Sequence, residues 1–432
     1  METKTIHKGY KFRLYPNEEQ KTFIHKSIGS CRFVYNYFLN EKTKYYTEHK
    51  LDVKKGLSFV ETEHLLVGLK NEENFVWLNE INSQSLQFSL RNLDSAYSRF
   101  FKKIADFPTF KKKHNGGSFT IPQHFKVVEE GEKNSYIKIP KLKQALKFRR
   151  HREIKGQILY CTISKTSTDK YYITLTVKEE HEFEENRHQS AVGLDVGIKS
   201  FCMTSDNVEI LNDKNIKRKE RRRKIKQRKV AKAQKGGNNR KKLVKKLARK
   251  HEKETNVRKN FLHQASNYIV ENQDIIIVED LNVKGMVKKH KLAKALSHQS
   301  FGEFFRQLKY KSEWDNKIFY QINRWYPSSQ ICNSCGYQNT NLKLSDRTWT
   351  CNCGKEIDRD LNASQNIRDL GLSDLGIILD KSTVGTTESY ASGRNKITDF
   401  LKRESVSSNE GRSPSLLGEG SSQIMVKGYD CL

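Results

Sequence analysis

The sequence lacks long hydrophobic runs. Within its 432 residues, the longest aliphatic run, residues 275–278, is far too short to cross a lipid bilayer. The first ten residues, METKTIHKGY, contain no apolar stretch, and we therefore expect no secretory signal. These two absences predict a cytoplasmic protein without a membrane partner.

Acidic residues are scarce relative to basic ones. The chain carries 50 Asp and Glu against 80 Lys and Arg, a formal net charge of +30. An excess of this size indicates a polyanionic partner, and nucleic acid is the simplest one. A basic surface that only faces solvent is the alternative, but the clustering of the charge argues against it.

The positive charge is concentrated in residues 214–250, which hold 20 Lys and Arg and a single acid, Glu220. A GGNN stretch at 236–239 interrupts them, so we predict two basic helices joined by a turn. Because like charges repel without a counter-charge, we expect these helices to contact nucleic-acid phosphates. A hairpin exposed only to solvent is the alternative. The candidate contact residues are Lys217, Arg218, Arg221, Arg222, Arg223, Lys241, Lys242 and Lys245.

Eight cysteines in a chain of this size do not predict a disulfide framework. Four of them are scattered and are expected to be reduced thiols. The other four form two close pairs with fifteen residues between them, and Gly336 or Gly354 directly follows each pair. Four thiolates in two pairs fit a tetrahedral zinc ion, so we predict a closed, structural zinc ribbon. The predicted ligands are Cys332, Cys335, Cys351 and Cys353, and the second pair, Cys-x-Cys, is tighter than the usual Cys-x-x-Cys.

Three acidic residues stand where strands and a helix could bring them together. Asp195 lies in the strand-like stretch AVGLDVG, and Glu279 ends an apolar strand. Asp360 precedes Ala363 and Ile367, which mark one face of a helix. Ligands of α/β proteins collect at the carboxyl ends of strands, so we predict that the three acids share one site.

Three carboxylates repel one another unless cations neutralise them. Mg²⁺ or Mn²⁺ would do so, and two such ions can activate water against a phosphodiester. Taken singly, each acid could equally be a helix cap or a surface charge, and Asp280 and Asp358 are close competitors. Gly193 and Gly197, on the same strand face as Asp195, are expected to leave room for an ion and a substrate backbone.

The order of patterns predicts an α/β chain with several domains. Residues 9–16 alternate like a strand, and Asn17 with Gln20 can form a capping box at the start of a helix. Helical spacing continues to about residue 105, and short β-rich segments follow at 118–180 as a small antiparallel sheet or barrel. From about residue 372, the abundance of Ser, Gly, Thr and Glu predicts a disordered tail.

Four motifs together resemble the signature of one family. GLDVGIKSF, IIIVEDLNVKGM, RWYPSSQICNSCG and DRDLNASQNI occur in order and are similar to motifs of the TnpB family. TnpB proteins are transposon-encoded, RNA-guided DNA endonucleases related to the type V CRISPR effectors. The similarity covers about residues 9–370, and the early segments YKFRLYP and CRFVYNYFL also resemble this family.

The resemblance implies a RuvC-type nuclease domain with an RNase H-like fold, in which Asp195, Glu279 and Asp360 bind the metal ions. It favours Asp360 over Asp358, because the family's motif places the catalytic acid two residues before Asn362. An arginine near the family's active site is matched by Arg324, in RWYPSSQ.

The resemblance also implies a division into domains. The expected parts are a wedge strand (1–16), a helical recognition lobe (17–117), a β-rich wedge domain (118–186), the first part of the nuclease domain (187–329), an inserted zinc ribbon (330–356), the last part of the nuclease domain (357–371) and the tail (372–432). In this arrangement the ribbon braces the nuclease domain, and its exit strand delivers Asp360 to the magnesium site.

By this resemblance the protein would be an RNA-guided, metal-dependent endonuclease that cuts double-stranded DNA marked by a short flanking motif. Its cofactors would be Mg²⁺ or Mn²⁺, structural Zn²⁺ and a guide RNA. It would take no small-molecule substrate, act as a monomer on each RNA and associate with the nucleoid. Two alternatives stay open: a guided repressor that binds without cleaving, and a transposase that performs strand transfer. The three intact acids favour the endonuclease.

Overall fold

The computed structural model describes residues 2–49, 56–113, 116–131, 134–183, 189–288, 290–343, 345–379 and 395–396. The chain divides into two compact units, Met1–Glu182 and Phe183–Leu432. Both units mix helices and strands, as the sequence predicted. Among the helices of the described ranges, none combines the length and the apolar composition that a membrane span requires.

A seven-stranded sheet forms one part of the first unit. Its strands are β1 (Glu2–Leu14), β2 (Gly117–Ile121), β3 (Lys126–Glu130), β4 (Asn134–Lys138), β5 (Leu146–Arg149), β6 (Gln157–Lys165) and β7 (Tyr171–Phe183). The order across the sheet is β2-β6-β7-β1-β5-β4-β3, so the N-terminal strand lies between strands that follow much later in the chain. Tyr10, Phe12 and Leu14 of β1 are buried, because alternate side chains of a strand share one face.

Three helices complete the first unit: α1 (Glu18–Glu48), α2 (Phe59–Asn71) and α3 (Ser83–Phe101), with a 3-10 helix at Glu73–Glu80. The capping box predicted for α1 is confirmed. The Asn17 side chain accepts a hydrogen bond from the Gln20 N–H, and the Gln20 side chain accepts one from the Asn17 N–H. The apolar faces of α1 and α3 pack with the sheet into one hydrophobic core.

The second unit contains the strands β8 (Ala191–Val196), β9 (Cys202–Thr204), β10 (Val208–Ile210), β11 (Ile275–Glu279), β12 (Ile318–Ile322), β13 (Thr348–Thr350), β14 (Glu356–Asp358) and β15 (Asn395–Lys396). One sheet has the order β12-β11-β8-β9-β10-β15, and β13 pairs separately with β14. Strands β8, β11 and β12 run parallel, whereas β9 is antiparallel to β8. The three parallel strands therefore present their carboxyl ends at one edge.

The helices of this unit are α4 (Lys214–Lys232), α5 (Asn238–Asn272), α6 (Val283–Lys288), α7 (His290–Gln299), α8 (Phe301–Trp314) and α9 (Arg359–Leu375). They cover both faces of the parallel strands. Leu194 and Val278 are buried in one cluster with residues of α5 and α8, whereas Ile277 packs on the other face with Ile367 of α9. Because both faces are covered, every position of β11 before Glu279 is apolar.

Helix α5 is longer than the sequence predicted. It does not end near residue 250 but continues to Asn272. Its last part carries an apolar face, including Phe261 and Ile269, that is buried in the core of the unit. Tertiary packing therefore extends the helix beyond its basic segment.

The disordered tail was predicted to begin at about residue 372, which is a few residues too early in the sequence. Helix α9 continues to Leu375, and Leu372 and Leu375 pack against the core on the α9 side of the sheet. Residues 372–375 are therefore helical. The rest of that prediction falls mainly on residues 380–432, which lie outside the described residues apart from 395–396.

Candidate carboxylate site, cysteine cluster and basic hairpin

Two parallel strands place Asp195 and Glu279 side by side. The register between β8 and β11 pairs Leu194 with Val278. One step further along both strands, Asp195 and Glu279 stand opposite each other. Because side chains alternate, both acids project to the face opposite Leu194 and Val278, which is the face that α9 covers.

Helix α9 packs closely on this face because Gly193 has no side chain. A Cβ atom on Gly193 would lie 2.0 Å from the carbonyl oxygen of Ser364 and 2.5 Å from the backbone nitrogen of Arg368. The prediction that this glycine leaves room for an ion is therefore wrong, since the helix backbone fills the space. A Cβ atom on Gly197 would lie 3.1 Å from the carbonyl oxygen of Ser200, in the turn after β8.

The start of α9 distinguishes two neighbouring aspartates. Asp358 is the N-cap, and its carboxylate accepts a hydrogen bond from the Leu361 N–H at 3.1 Å. Asp360 lies in the first turn, and its charge acts on Asp195. Strand β14 ends at Asp358, so the strand that leaves the cysteine region leads directly into the helix that carries Asp360.

The charges of the three acids act on one another. Burial, and then the neighbouring charges of Asp360 and Glu279, raise the pKa of Asp195 to about 8. Burial, and then the charge of Asp280, raise the pKa of Glu279 to about 6. Each of the three acids is still partly exposed, so a cation could reach them from solvent. Mutual repulsion between oxygen ligands is the situation that a divalent cation relieves.

The three carboxylates stand further apart than the cysteine sulfurs. Within the described ranges, the four cysteines are the one group of three or more His, Cys, Asp or Glu residues whose ligand atoms all lie within 4.8 Å of one another. Carboxylates that repel are expected to keep such a distance until a cation draws them together. The donor set, three hard oxygen ligands at one sheet edge, fits Mg²⁺ or Mn²⁺.

An arginine from the cysteine region reaches the same site. Nη1 of Arg347 lies 3.5 Å from Oδ1 of Asp360, and the Arg347 carbonyl accepts a hydrogen bond from the Arg359 N–H at 2.9 Å. The charges of Arg359 and Arg347 act in the opposite direction to burial and partly offset the rise in the pKa of Asp195. Sequence reasoning missed Arg347, because it lies thirteen positions before Asp360 and no periodicity links the two.

Arg324 occupies a different place. Its guanidinium forms an ion pair with Asp280, the residue after Glu279, and both partners are exposed. The charge of Asp280 is therefore already balanced by the guanidinium of Arg324. The assignment of Arg324 to the active site stays a prediction.

The four predicted zinc ligands converge. The Sγ–Sγ distances are 3.9 Å for Cys332–Cys353 and 3.5 Å for Cys335–Cys351, and all four sulfurs lie within 4.8 Å of one another. A tetrahedral zinc ion with Zn–S bonds of about 2.3 Å requires sulfur separations of roughly 3.8 Å. The cluster could therefore bind zinc, and the tight Cys-x-Cys pair does not prevent it.

The cysteine region is tied to the helix that carries Asp360. Gly336 and Gly354 have φ angles of 76° and 83°, a left-handed conformation that favours glycine, so both predicted turns are present. Side-chain amides of Asn362 and Asn366 on α9 both donate to the Ile331 carbonyl at 2.6 Å. Loss of the cysteine region would therefore disturb the start of α9.

Helices α4 and α5 form the predicted basic hairpin. Seven of the eight candidate contact residues are exposed: Lys217, Arg218, Arg221, Arg222, Lys241, Lys242 and Lys245. Arg223 differs, because it is half-buried and its Nε lies 2.7 Å from a carboxylate oxygen of Glu254 on α5. We assign Arg223 to holding the two helices together. Glu220 is buried and pairs with Lys294 of α7 at 3.0 Å.

Family models match three parts of the chain. Residues 174–290 match the OrfB IS605 model, described as "Probable transposase", and residues 301–367 match "Cas12f1-like, TNB domain". Residues 1–50 match "Helix-turn-helix domain". Over the described residues 2–49, however, the structure has the strand β1 and the single long helix α1.

Two curated relatives match most of the chain. A protein of Streptomyces pristinaespiralis is 32% identical over 373 residues, which are 85% of this chain and 90% of the relative. InsQ of Escherichia coli (strain K12) is 30% identical over 374 residues, which are 83% of this chain and 90% of the relative. Both relatives carry the name "Putative RNA-guided DNA endonuclease".

A solved structure shares the fold. It is the cryo-EM structure of a complex of Cas12f1, sgRNA and target DNA, with a TM-score of 0.52 and 12% sequence identity. The superposition covers 84% of this chain and 99% of that chain. Because a relative is 32% identical across 85% of the sequence, and because the four motifs agree, the chain belongs to the TnpB family.

Proposed function

We propose that this protein is an RNA-guided, metal-dependent DNA endonuclease whose second unit contains a RuvC-type nuclease domain. The observation that carries the proposal is the convergence of Asp195, Glu279 and Asp360 at one sheet edge, in a chain of the TnpB family. The names of the two curated relatives support it.

Asp195, Glu279 and Asp360 would hold Mg²⁺ or Mn²⁺, since carboxylate oxygens are the ligands that these hard cations prefer. When bound, the ions would activate a water molecule and stabilise the leaving oxygen of a phosphodiester. Strands β8 and β11 hold the first two acids, and the first turn of α9 holds the third. Asp195 must lose its proton to act as a ligand, and the charges of Arg359 and Arg347 favour that loss.

Arg347 adds a donor to this anionic site. Its side chain is about half exposed, at 48%, and its guanidinium lies beside Asp360. A guanidinium can donate two parallel hydrogen bonds to a phosphate, so Arg347 is placed to bind the phosphate that enters the site. The pairing with Asp360 holds it there before substrate arrives.

The four cysteines would hold structural zinc. Because α9 is hydrogen-bonded to the cysteine region at Ile331, the zinc-bound ribbon would fix both Arg347 and the start of α9. The ribbon thus serves the carboxylate site without touching the substrate's reacting atoms.

The seven exposed candidate residues of the basic hairpin would bind guide-RNA phosphates. We assign the seven-stranded sheet to the wedge domain and α1–α3 to the recognition lobe. Base pairing between guide and target would then supply sequence specificity, while the protein reads a short motif beside the target. One protein chain would act on each RNA, in the cytoplasm and at the nucleoid.

The test is cleavage of a plasmid that carries a sequence complementary to the RNA that co-purifies with the protein. Asp195→Asn should lower the cleavage rate by a factor on the order of 10³ or more, with RNA retention unchanged. Asp358→Asn is the matched control, because asparagine caps a helix as well as aspartate does and cleavage should persist.

Undiminished cutting by the Asp195→Asn variant would refute the assignment. If the parent protein binds its target but never cuts it with Mg²⁺ or Mn²⁺, the guided repressor is correct instead. Joined transposon products made by the protein alone would identify strand transfer.

A further inference from the structure

Trp325 is exposed to an unusual degree. Its side chain is 84% exposed, compared with 40% for Trp77 and 8% for Trp349. Large aromatic rings bury much of their surface in most proteins, so a ring this exposed has its face open to a partner outside the chain.

Trp325 follows the strand that pairs with the strand of Glu279. Strand β12 ends at Ile322, which pairs in register with Glu279, and the Asp280 N–H donates to the Ile322 carbonyl at 3.2 Å. Trp325 follows Ile322 by three residues, a span of at most about 10 Å. It therefore belongs to the same edge of the sheet as the three acids.

The backbone that carries Trp325 is held by local hydrogen bonds. The Trp325 N–H donates to the side chain of Asn323 at 3.0 Å, and the Tyr326 N–H donates to the Asn323 carbonyl at 3.2 Å. On one side, Arg324 is paired with Asp280. On the other, Tyr326 packs against the core on the α9 side of the sheet. The loop thus presents Trp325 from a fixed position.

The surroundings of the ring favour a nucleobase over a protein surface. The neighbours Asn323 and Arg324 are polar and exposed, which suits a nucleic-acid strand better than an apolar protein surface. An exposed aromatic ring with such neighbours matches a nucleobase, because the flat face of a base can stack on the ring.

We propose that Trp325 stacks on an unpaired base of the DNA strand whose phosphate enters the carboxylate site. This inference rests on the proposed function. The stacked base would anchor the strand beside the acids. Because every base has a flat face, the contact would act without sequence preference. It would need an unstacked base, so it would favour a separated strand over an intact duplex.

The first test is a binding measurement that does not require cleavage. Full-length protein with its co-purified RNA is titrated with oligothymidylate in EDTA, and tryptophan fluorescence is followed. Stacking should quench the emission of the parent protein. Trp325→Phe should lose most of that quenching, whereas Trp77→Phe, the matched exposed control in the other unit, should keep it. Full quenching in Trp325→Phe overturns the proposal.

The second test is steady-state cleavage of the guide-matched target. Trp325→Ala should raise KM about tenfold, the scale on which alanine weakens a single stacked base, with kcat changed less than about twofold. Trp325→Phe should recover most of the loss, because phenylalanine can also stack. An unchanged KM in Trp325→Ala overturns the proposal, and so does a failure of phenylalanine to restore it.

The two tests separate this inference from the proposed function. If the quenching depends on Trp325 but the protein never cleaves, the stacking contact is supported and only the nuclease activity is refuted. Cleavage that is indifferent to Trp325 refutes only the contact.

Discussion

The two candidate metal sites of the second unit are built in opposite ways. The four cysteines come from one stretch, residues 332–353, and their sulfurs all lie within 4.8 Å of one another. The three acids come from positions 195, 279 and 360, and a sheet and a helix are needed to bring them together. The first site is fixed by local turns, and the second by packing.

The two sites also differ in their chemistry, because the cysteine site is closed to a substrate and the carboxylate site is open. Four sulfurs at tetrahedral spacing leave no position for a substrate, which is typical of structural zinc. The carboxylates are partly open to solvent, and burial, followed by the charges of Asp360 and Glu279, raises the pKa of Asp195 to about 8. The closed site stabilises the fold of the ribbon. In the open site the carboxylates repel one another, and a bound cation would relieve that repulsion.

Removing the closed site is expected to have a large effect on both stability and cleavage. Replacing Cys332 and Cys351 together with serine should abolish zinc binding, because two ligands of four are lost. The ribbon should then become sensitive to protease, and target cleavage should fall by about a hundredfold, since Arg347 and the start of α9 lose their support. Metal analysis, limited proteolysis and cleavage assays measure the three outcomes.

Cys431→Ser is the control for the cysteine experiment, because it removes a thiol that is not among the predicted ligands. Zinc content and protease resistance should match those of the parent protein. If the double variant also keeps both properties, the zinc assignment is wrong.

A smaller effect distinguishes Arg347, which sequence reasoning missed, from Arg324, which the family resemblance assigned to the active site. Arg347→Ala should slow single-turnover cleavage by about tenfold to a hundredfold, because it removes a donor beside Asp360. Arg324→Ala should slow cleavage by no more than a few-fold, because Arg324 is paired with Asp280. The reverse ranking would show that the family-based assignment of Arg324 is the better one.

The last expected effect is on stability, and it reports the cost of holding the Asp195 carboxylate buried beside two other charges. The pKa of Asp195 is about 8 in the folded protein, against roughly 3.9 when unfolded, so the folded state binds the proton more tightly. Stability in EDTA should therefore fall as pH rises from about 4 to about 8. Asp195→Asn removes this contribution and should raise Tm at pH 8 by several degrees or more.

Adding Mg²⁺ at pH 8 extends that measurement. The ion should raise the Tm of the parent protein and have little effect on Asp195→Asn, because the variant lacks one ligand. Asp358→Asn, which keeps all three acids, should respond like the parent. Equal stabilisation of Asp195→Asn would show that the ion binds elsewhere.

Much of the molecule could be predicted from short stretches of sequence. The capping box of Asn17 and Gln20, the strand that ends at Glu279 and the turns at Gly336 and Gly354 depend on residues a few positions apart. Local patterns of this kind are visible without a fold. The family motifs supplied the rest of the site prediction, including the choice of Asp360.

The errors occurred where distant residues decide the outcome. Gly193 was expected to serve an ion, but it admits the backbone of α9, which follows it by more than 160 residues. The basic helix α5 continues past residue 250 because its far end is buried. Arg223 was grouped with surface cations, but it pairs inside the hairpin with Glu254.

The sequence alone carries the net charge, the two cysteine pairs and the motifs that indicate the family. These follow from residue type and short spacing, which no packing can change. Only the packed structure shows that Asp358 caps α9, that Arg347 lies beside Asp360, and that Trp325 is exposed just after β12. Such assignments depend on which surfaces meet, and only the packing of α9 and β12 on β8 and β11 sets that.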